Sequence, residues 1–125
     1  MTENETSYKI RGAIFRIYNA LGPGLLESVY VAAIIVELKK EGLKVRKEVS
    51  VPVYYKEEKL EVGFRLDLLV ENKVIIEVKS VAHLAEVHHK QVLTYLKVTD
   101  LKLAILVNFN VDSIKSGVFR KVNGL

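Results

Sequence analysis

The sequence predicts an α/β fold, a mixed β-sheet flanked by helices in the order ααββββαβ(β), on three observations. Apolar residues recur at helical spacing up to Lys40, alternate at period two from Val45 onward, and return to a helical and then a strand pattern after Leu84. Glycine marks the change of period, at Gly42. No repeat, linker or low-complexity stretch interrupts the order, so one domain over residues 1–125 is expected.

Ile10, Ile14, Ile17 and Leu21 form one stripe and predict a helix over Ser7 to Leu21. Gly22-Pro23-Gly24 ends it, because proline cannot continue a helix interior. A second helix, about Leu25 to Lys40, closes on Lys39 and Lys40, which suit the negative end of its dipole, and on Gly42. Its Val29, Ala32, Ala33, Ile34, Ile35 and Val36 leave little polar surface, which predicts packing on more than one side.

Val45, Lys47, Val49 and Val51 then alternate with Arg46, Glu48 and Ser50, and Val53-Tyr54-Tyr55 continues the strand composition past a bend at Pro52. A charged turn at Lys56 to Lys59 leads to strands at Leu60 to Val70 and Val74 to Lys79, joined by Glu71-Asn72-Lys73. A helix over Leu84 to Lys97, an apolar strand from Leu103 to Val107 and a last short strand within Ile114 to Val122 complete the order.

Composition narrows the chemistry. Half of the 125 residues are hydrophobic and 27% are charged with signs mixed, the balance of a globular chain. The absence of cysteine excludes disulfides, a thiolate nucleophile and Cys-ligated zinc. His83, His88 and His89 lack zinc-ligand spacing, and there is no phosphate-binding Gly-rich loop, nucleophile elbow or dinucleotide fingerprint. The longest apolar run, Val29 to Val36, has eight residues, too few to span a bilayer. The polar N-terminus resembles neither a signal nor a transit peptide, so the cytoplasm is expected. A net charge of +4 suits a polyanionic partner only mildly. Arg11, Arg16, Lys39, Lys40, Lys44, Arg46 and Lys47 read more simply as a solvated surface than as a phosphate-facing rim.

Two charged residues stand inside the apolar strand Ile75 to Lys79. Period two places Glu77 and Lys79 on one face with Val78 opposite, an arrangement that neutralises itself at a sheet edge or serves a site. Asp67 lies in the preceding apolar strand. A two-residue turn would set Asp67 opposite Ile76, whereas the three-residue loop Glu71-Asn72-Lys73 sets it opposite Glu77, with both carboxylates on one face; the odd-numbered loop, or an equivalent bulge, is expected. Facing carboxylates require a cation, and Mg²⁺ or Mn²⁺ accepts such ligands together with a backbone carbonyl, for which Val78 is placed. Lys79 could then hold the attacking water or stabilise a pentacovalent phosphate.

Asp67, nine intervening residues and Glu77-Val78-Lys79 resemble the Asp…Glu-x-Lys signature of the PD-(D/E)XK nuclease superfamily. Gly24-Leu25-Leu26-Glu27-Ser28-Val29-Tyr30 matches the motif that names the GxxExxY family, a branch of that superfamily. The similarity runs on through Val51 to Tyr55, Arg65-Leu66-Asp67, His88, Gln91 to Lys97, Asn108-Phe109 and the Val122 to Leu125 end. It implies a restriction-endonuclease-like core and a metal-dependent nuclease acting on DNA, with an inactive module that binds nucleic acid or a protein partner as the alternative. It also supports Glu27 as a third acid at the metal, where the residues alone suggest equally a cap on its own helix. Tyr30, one turn on, reads as a core or interface aromatic more readily than as a substrate contact. Gln91, Tyr95 and His88 share a helical face and resemble the Gln-x-x-x-Tyr helix of RecB-type nucleases, which implies roles at the active site and on DNA. A homodimer that sets two sites on two strands, joined through the apolar second helix, is a further hypothesis.

Overall fold

The computed structural model of the protein describes residues 1–125. Helices α1 (Glu3–Leu21) and α2 (Glu27–Lys40) precede strand β1 (Val45–Val51) and a separate small hairpin of β2 (Tyr54–Tyr55) and β3 (Glu58–Lys59). Strands β4 (Phe64–Val70) and β5 (Val74–Lys79), helix α3 (Glu86–Thr99), strand β6 (Leu103–Asn108), a 3₁₀ turn (Ile114–Gly117) and strand β7 (Val118–Val122) follow. The five-stranded sheet has the order β1-β4-β5-β6-β7, antiparallel except for β5 against β6. That parallel pair needs a crossover, and α3 provides it. No helix is long and apolar enough to cross a membrane.

Both faces of the sheet are covered. Ile10, Ile14 and Ile17 of α1 and Tyr30, Ile34 and Leu38 of α2 pack on Val74, Ile76, Val78, Ile105 and Val107. Val92, Tyr95 and Leu96 of α3 pack on the opposite side against Ile75, Ala104 and Leu106. Burial on two faces explains why β6 is apolar from Leu103 to Val107 without alternation.

Several boundaries differ from the sequence reading. Helix α1 begins four residues before Ser7, because Thr2 and Glu5 form a reciprocal capping box around its first turn. Helix α2 begins at Glu27, since Gly22 and Gly24 adopt positive φ angles of 70° and 92° that hold the loop out of the helix. That helix packs over one broad face only, and Val29 and Val36 are exposed. Tyr54 and Tyr55 leave the main sheet at Pro52 to form their own hairpin, turned by Lys56 and Glu57 in left-handed conformations.

The strand alternation fails at one place, and it does so in two neighbouring strands. Lys47 pairs with Leu68 and Val49 with Leu66, but the pair between them, Glu48 and Asp67, is missing from the ladder, and Glu48 has a φ of 54°. Regular pleating would point Leu66 and Leu68 to the same face. Instead Leu68 joins the α1/α2 core while Leu66, with Val49 and Val51, joins the α3 side. The sheet is therefore creased at Glu48 and Asp67.

The central strands carry the load of this arrangement. Ile76 is fully buried beneath α1 and α2, so Ile76→Ala should lower the free energy of unfolding by about 2–5 kcal/mol through lost burial and a residual cavity. Urea denaturation followed by circular dichroism measures it.

Candidate functional site

The β4–β5 loop has three residues, with Val70 paired to Val74, Leu69 to Ile75 and Leu68 to Ile76. Glu71 and Asn72 both take positive φ, which closes the tight turn that keeps this register. Continued by one step, the same register sets Asp67 opposite Glu77, as the odd-numbered loop requires.

The ladder does not continue in the usual way. The Asp67 N–H donates to Oε1 of Glu77 at 3.1 Å, and the Val78 N–H donates to Oδ2 of Asp67 at 2.8 Å. Each carboxylate thus takes the place of a backbone carbonyl, and the two strands fork beyond Leu68 and Ile76. The N–H and C=O of a strand residue point to the same side, so the Val78 carbonyl faces the fork with its amide.

Glu77 is only 5% exposed. Burial, reinforced by the neighbouring Asp67 charge, pushes its carboxyl up to about 8, and Lys79 opposes that shift without cancelling it. Tyr95 stacks on Phe64 at 4.2 Å, and its phenol is raised first by burial and then by the Glu77 and Asp67 charges. Asp67 and Glu77 therefore meet at the fork, with Lys79 two residues on from Glu77 in β5.

The other expected residues are disposed differently. Glu27 shares a cleft of about 290 Å³ with Ser28, Val31, Lys47, Glu48 and Asp67. Its carboxylate, however, accepts the Ser80 N–H at 3.2 Å, and no third Asp, Glu or His completes a metal-binding cluster with Asp67 and Glu77. Neither sequence expectation for Glu27 describes this contact, which is made across the fold at the first residue of α2. Tyr30 is fully buried, stacked on Phe109 with ring centroids 4.1 Å apart, and its hydroxyl bonds the Gly22 carbonyl and the Leu25 amide. It is a core aromatic that shapes the loop before α2, and its burial removes it as a substrate contact. His88 turns Nδ1 to the Ala85 N–H at 3.1 Å and so caps α3. Gln91, one helical turn before Tyr95, is exposed and makes no side-chain hydrogen bond.

Sequence reasoning missed Ser80 and the role of Asn108. Asn108, 3% exposed at the end of the apolar strand β6, bonds Val81 through both its amide oxygen and its amide nitrogen. A lone amide closing a buried strand was the available signal.

Residues 4–121 match the family model of the PD-(D/E)XK nuclease superfamily. The chain belongs to that superfamily. Its five-stranded mixed sheet and flanking helices are consistent with the superfamily's restriction-endonuclease-like α/β fold. No curated protein gives a significant match. A solved structure titled "Crystal structure of SSO0001" is similar at 20% identity and a TM-score of 0.47, over 94% of this chain and 63% of that one. The chain thus spans less than two thirds of that protein's length.

The donor set of this superfamily member fits a hard divalent cation: two carboxylates and a backbone carbonyl, all oxygen. Without a cation the fork favours a protonated Glu77. Its pKa is raised on folding, so the associated stability is complete below the unfolded value near 4.5 and is lost as pH rises through about 8. In chelator, the wild-type melting temperature should fall between pH 5 and 8 relative to Glu77→Gln, whose neutral amide still accepts the Asp67 N–H. Thermal melts of both proteins across that range check the sign.

Proposed function

We propose that this protein is a Mg²⁺- or Mn²⁺-dependent nuclease of the GxxExxY branch that hydrolyses phosphodiester bonds in DNA. The observation that carries the reading is the fork itself, where Asp67 and Glu77 face each other with Lys79 on the same strand. Superfamily membership supplies the reaction class.

Asp67, Glu77 and the Val78 carbonyl would hold the cation. Bound there, it would supply Lewis-acid activation of water and neutralise phosphate charge. Glu77 must lose its proton to act as a ligand, which couples cation uptake to proton release. Lys79 presents an ammonium that orients the attacking water and opposes the charge of the pentacovalent phosphate. Tyr95, buried on α3 against Phe64, and the exposed Gln91 one turn before it would border the path by which DNA reaches the acids. A homodimer is compatible with Leu26, Val29 and Val36, which leave an apolar surface on and before α2.

With labelled single-stranded, duplex and branched DNA in Mn²⁺, Asp67→Ala and Lys79→Ala should each lower kcat by about 10²- to 10³-fold. Cleavage that survives either substitution unchanged assigns the activity elsewhere. In calorimetry at pH 7, Mn²⁺ binding should release about one proton, read from buffers of different ionisation enthalpy. Salt-sensitive DNA binding with no Mn²⁺ uptake and no cleavage would instead describe a catalytically idle binding module.

A further inference from the structure

Five hydrogen bonds hold the chain at and just after the end of the Glu-x-Lys strand. The Lys79 carbonyl accepts the Phe109 N–H at 3.0 Å. The Ser80 N–H donates to Oε2 of Glu27 at 3.2 Å, and the Ser80 hydroxyl donates to the Leu25 carbonyl at 2.6 Å. Asn108 then holds Val81 on both sides, with its Oδ1 accepting the Val81 N–H at 3.1 Å and its Nδ2 donating to the Val81 carbonyl at 2.9 Å.

Two of these contacts reach back to one short segment. Leu25 and Glu27 flank the start of α2 and grip Ser80 directly. Tyr30, one turn on, lies flat on Phe109, whose amide holds Lys79, and its hydroxyl ties down the Gly22 and Leu25 backbone on which the grip depends. The glutamate and tyrosine of the Gly24 to Tyr30 stretch thus act on one object, the backbone that carries Lys79.

We infer that Glu27 and Ser80 are positioning residues, forming a clip between α2 and the end of β5 that sets the backbone from which Lys79 extends. Glu27 acts through Ser80 and does not itself ligate the cation. The lysine side chain has four rotatable bonds, so a small displacement of its Cα moves the ammonium away from a reacting phosphate at large kinetic cost. The catalytic consequence rests on the nuclease reading above; the clip itself does not.

The test uses the full chain and three substitutions, Glu27→Ala, Glu27→Gln and Ser80→Ala. On labelled DNA with Mn²⁺, Glu27→Ala should lower kcat by about 10- to 100-fold with KM and the Mn²⁺ dissociation constant unchanged. Glu27→Gln, whose amide oxygen can still accept the Ser80 N–H, should restore kcat. Ser80→Ala, which loses only the hydroxyl contact, should fall between them. Backbone amide exchange over residues 78–81 should accelerate in Glu27→Ala and Ser80→Ala but not in Glu27→Gln. Loss of Mn²⁺ affinity in Glu27→Gln would make Glu27 a ligand and overturn the inference, as would unchanged exchange in Glu27→Ala. If the wild-type protein cleaves no DNA, the nuclease reading fails alone, and the exchange pattern with Mn²⁺ affinity still decides for or against the clip.

Discussion

Two backbone amides, those of Asp67 and Val78, spend their hydrogen bonds on carboxylates and not on the neighbouring strand, and most of the site's properties follow from that exchange. A buried carboxylate is expensive unless its oxygens are paired. The two amides supply that pairing where the β4–β5 ladder ends, and of the two acids only Asp67 lines the cleft beside α2. The compensation is incomplete. Burial first, and then repulsion from Asp67, makes Glu77 hold its proton well above the ordinary carboxylate range. An arrangement of this kind is relieved by a proton or by a cation, which links the fold's local discomfort to its proposed chemistry.

The crease at Glu48 and Asp67 shows how the rest of the sheet accommodates the fork. By exchanging faces at one point, β1 and β4 send Leu68 and Val70 into the α1/α2 core and Leu66 and Phe64 toward α3. Asp67 consequently stands where the two layers meet, lining the cleft beside α2 while bonding toward β5. On the far side of the crease, Phe64 offers Tyr95 of α3 a stacking surface. Opening a sheet weakens it, and the strands beside the fork are correspondingly well held, with β6 buried along its whole length.

Much of this was legible in the sequence because it depends on parity. Whether Asp67 faces Glu77 or Ile76 is decided by the number of residues between Val70 and Val74, and that can be counted. Charged residues inside apolar strands, Asp67 and the Glu77–Lys79 pair, are informative for the same reason, since their burial demands a partner. The order of the helices and of the main-sheet strands was equally readable from period. The ends were not: the Thr2 capping box lengthened α1, and the Gly22 to Gly24 loop shortened α2.

The sequence by itself determined the order of the helices and of the main-sheet strands, and the loop length that aligns the two acids; β3 stands where a charged turn was expected. Only the tertiary structure decided how those acids are held and what surrounds them. Local patterning specifies which face a side chain takes, but not which backbone group from a distant element meets it there. Glu27 meets Ser80 across 53 positions, and Tyr30 meets Phe109 through the packing of α2 on the sheet. The failure of alternation at Asp67 has the same origin, because a crease is a compromise between two cores and neither core is visible from one strand alone.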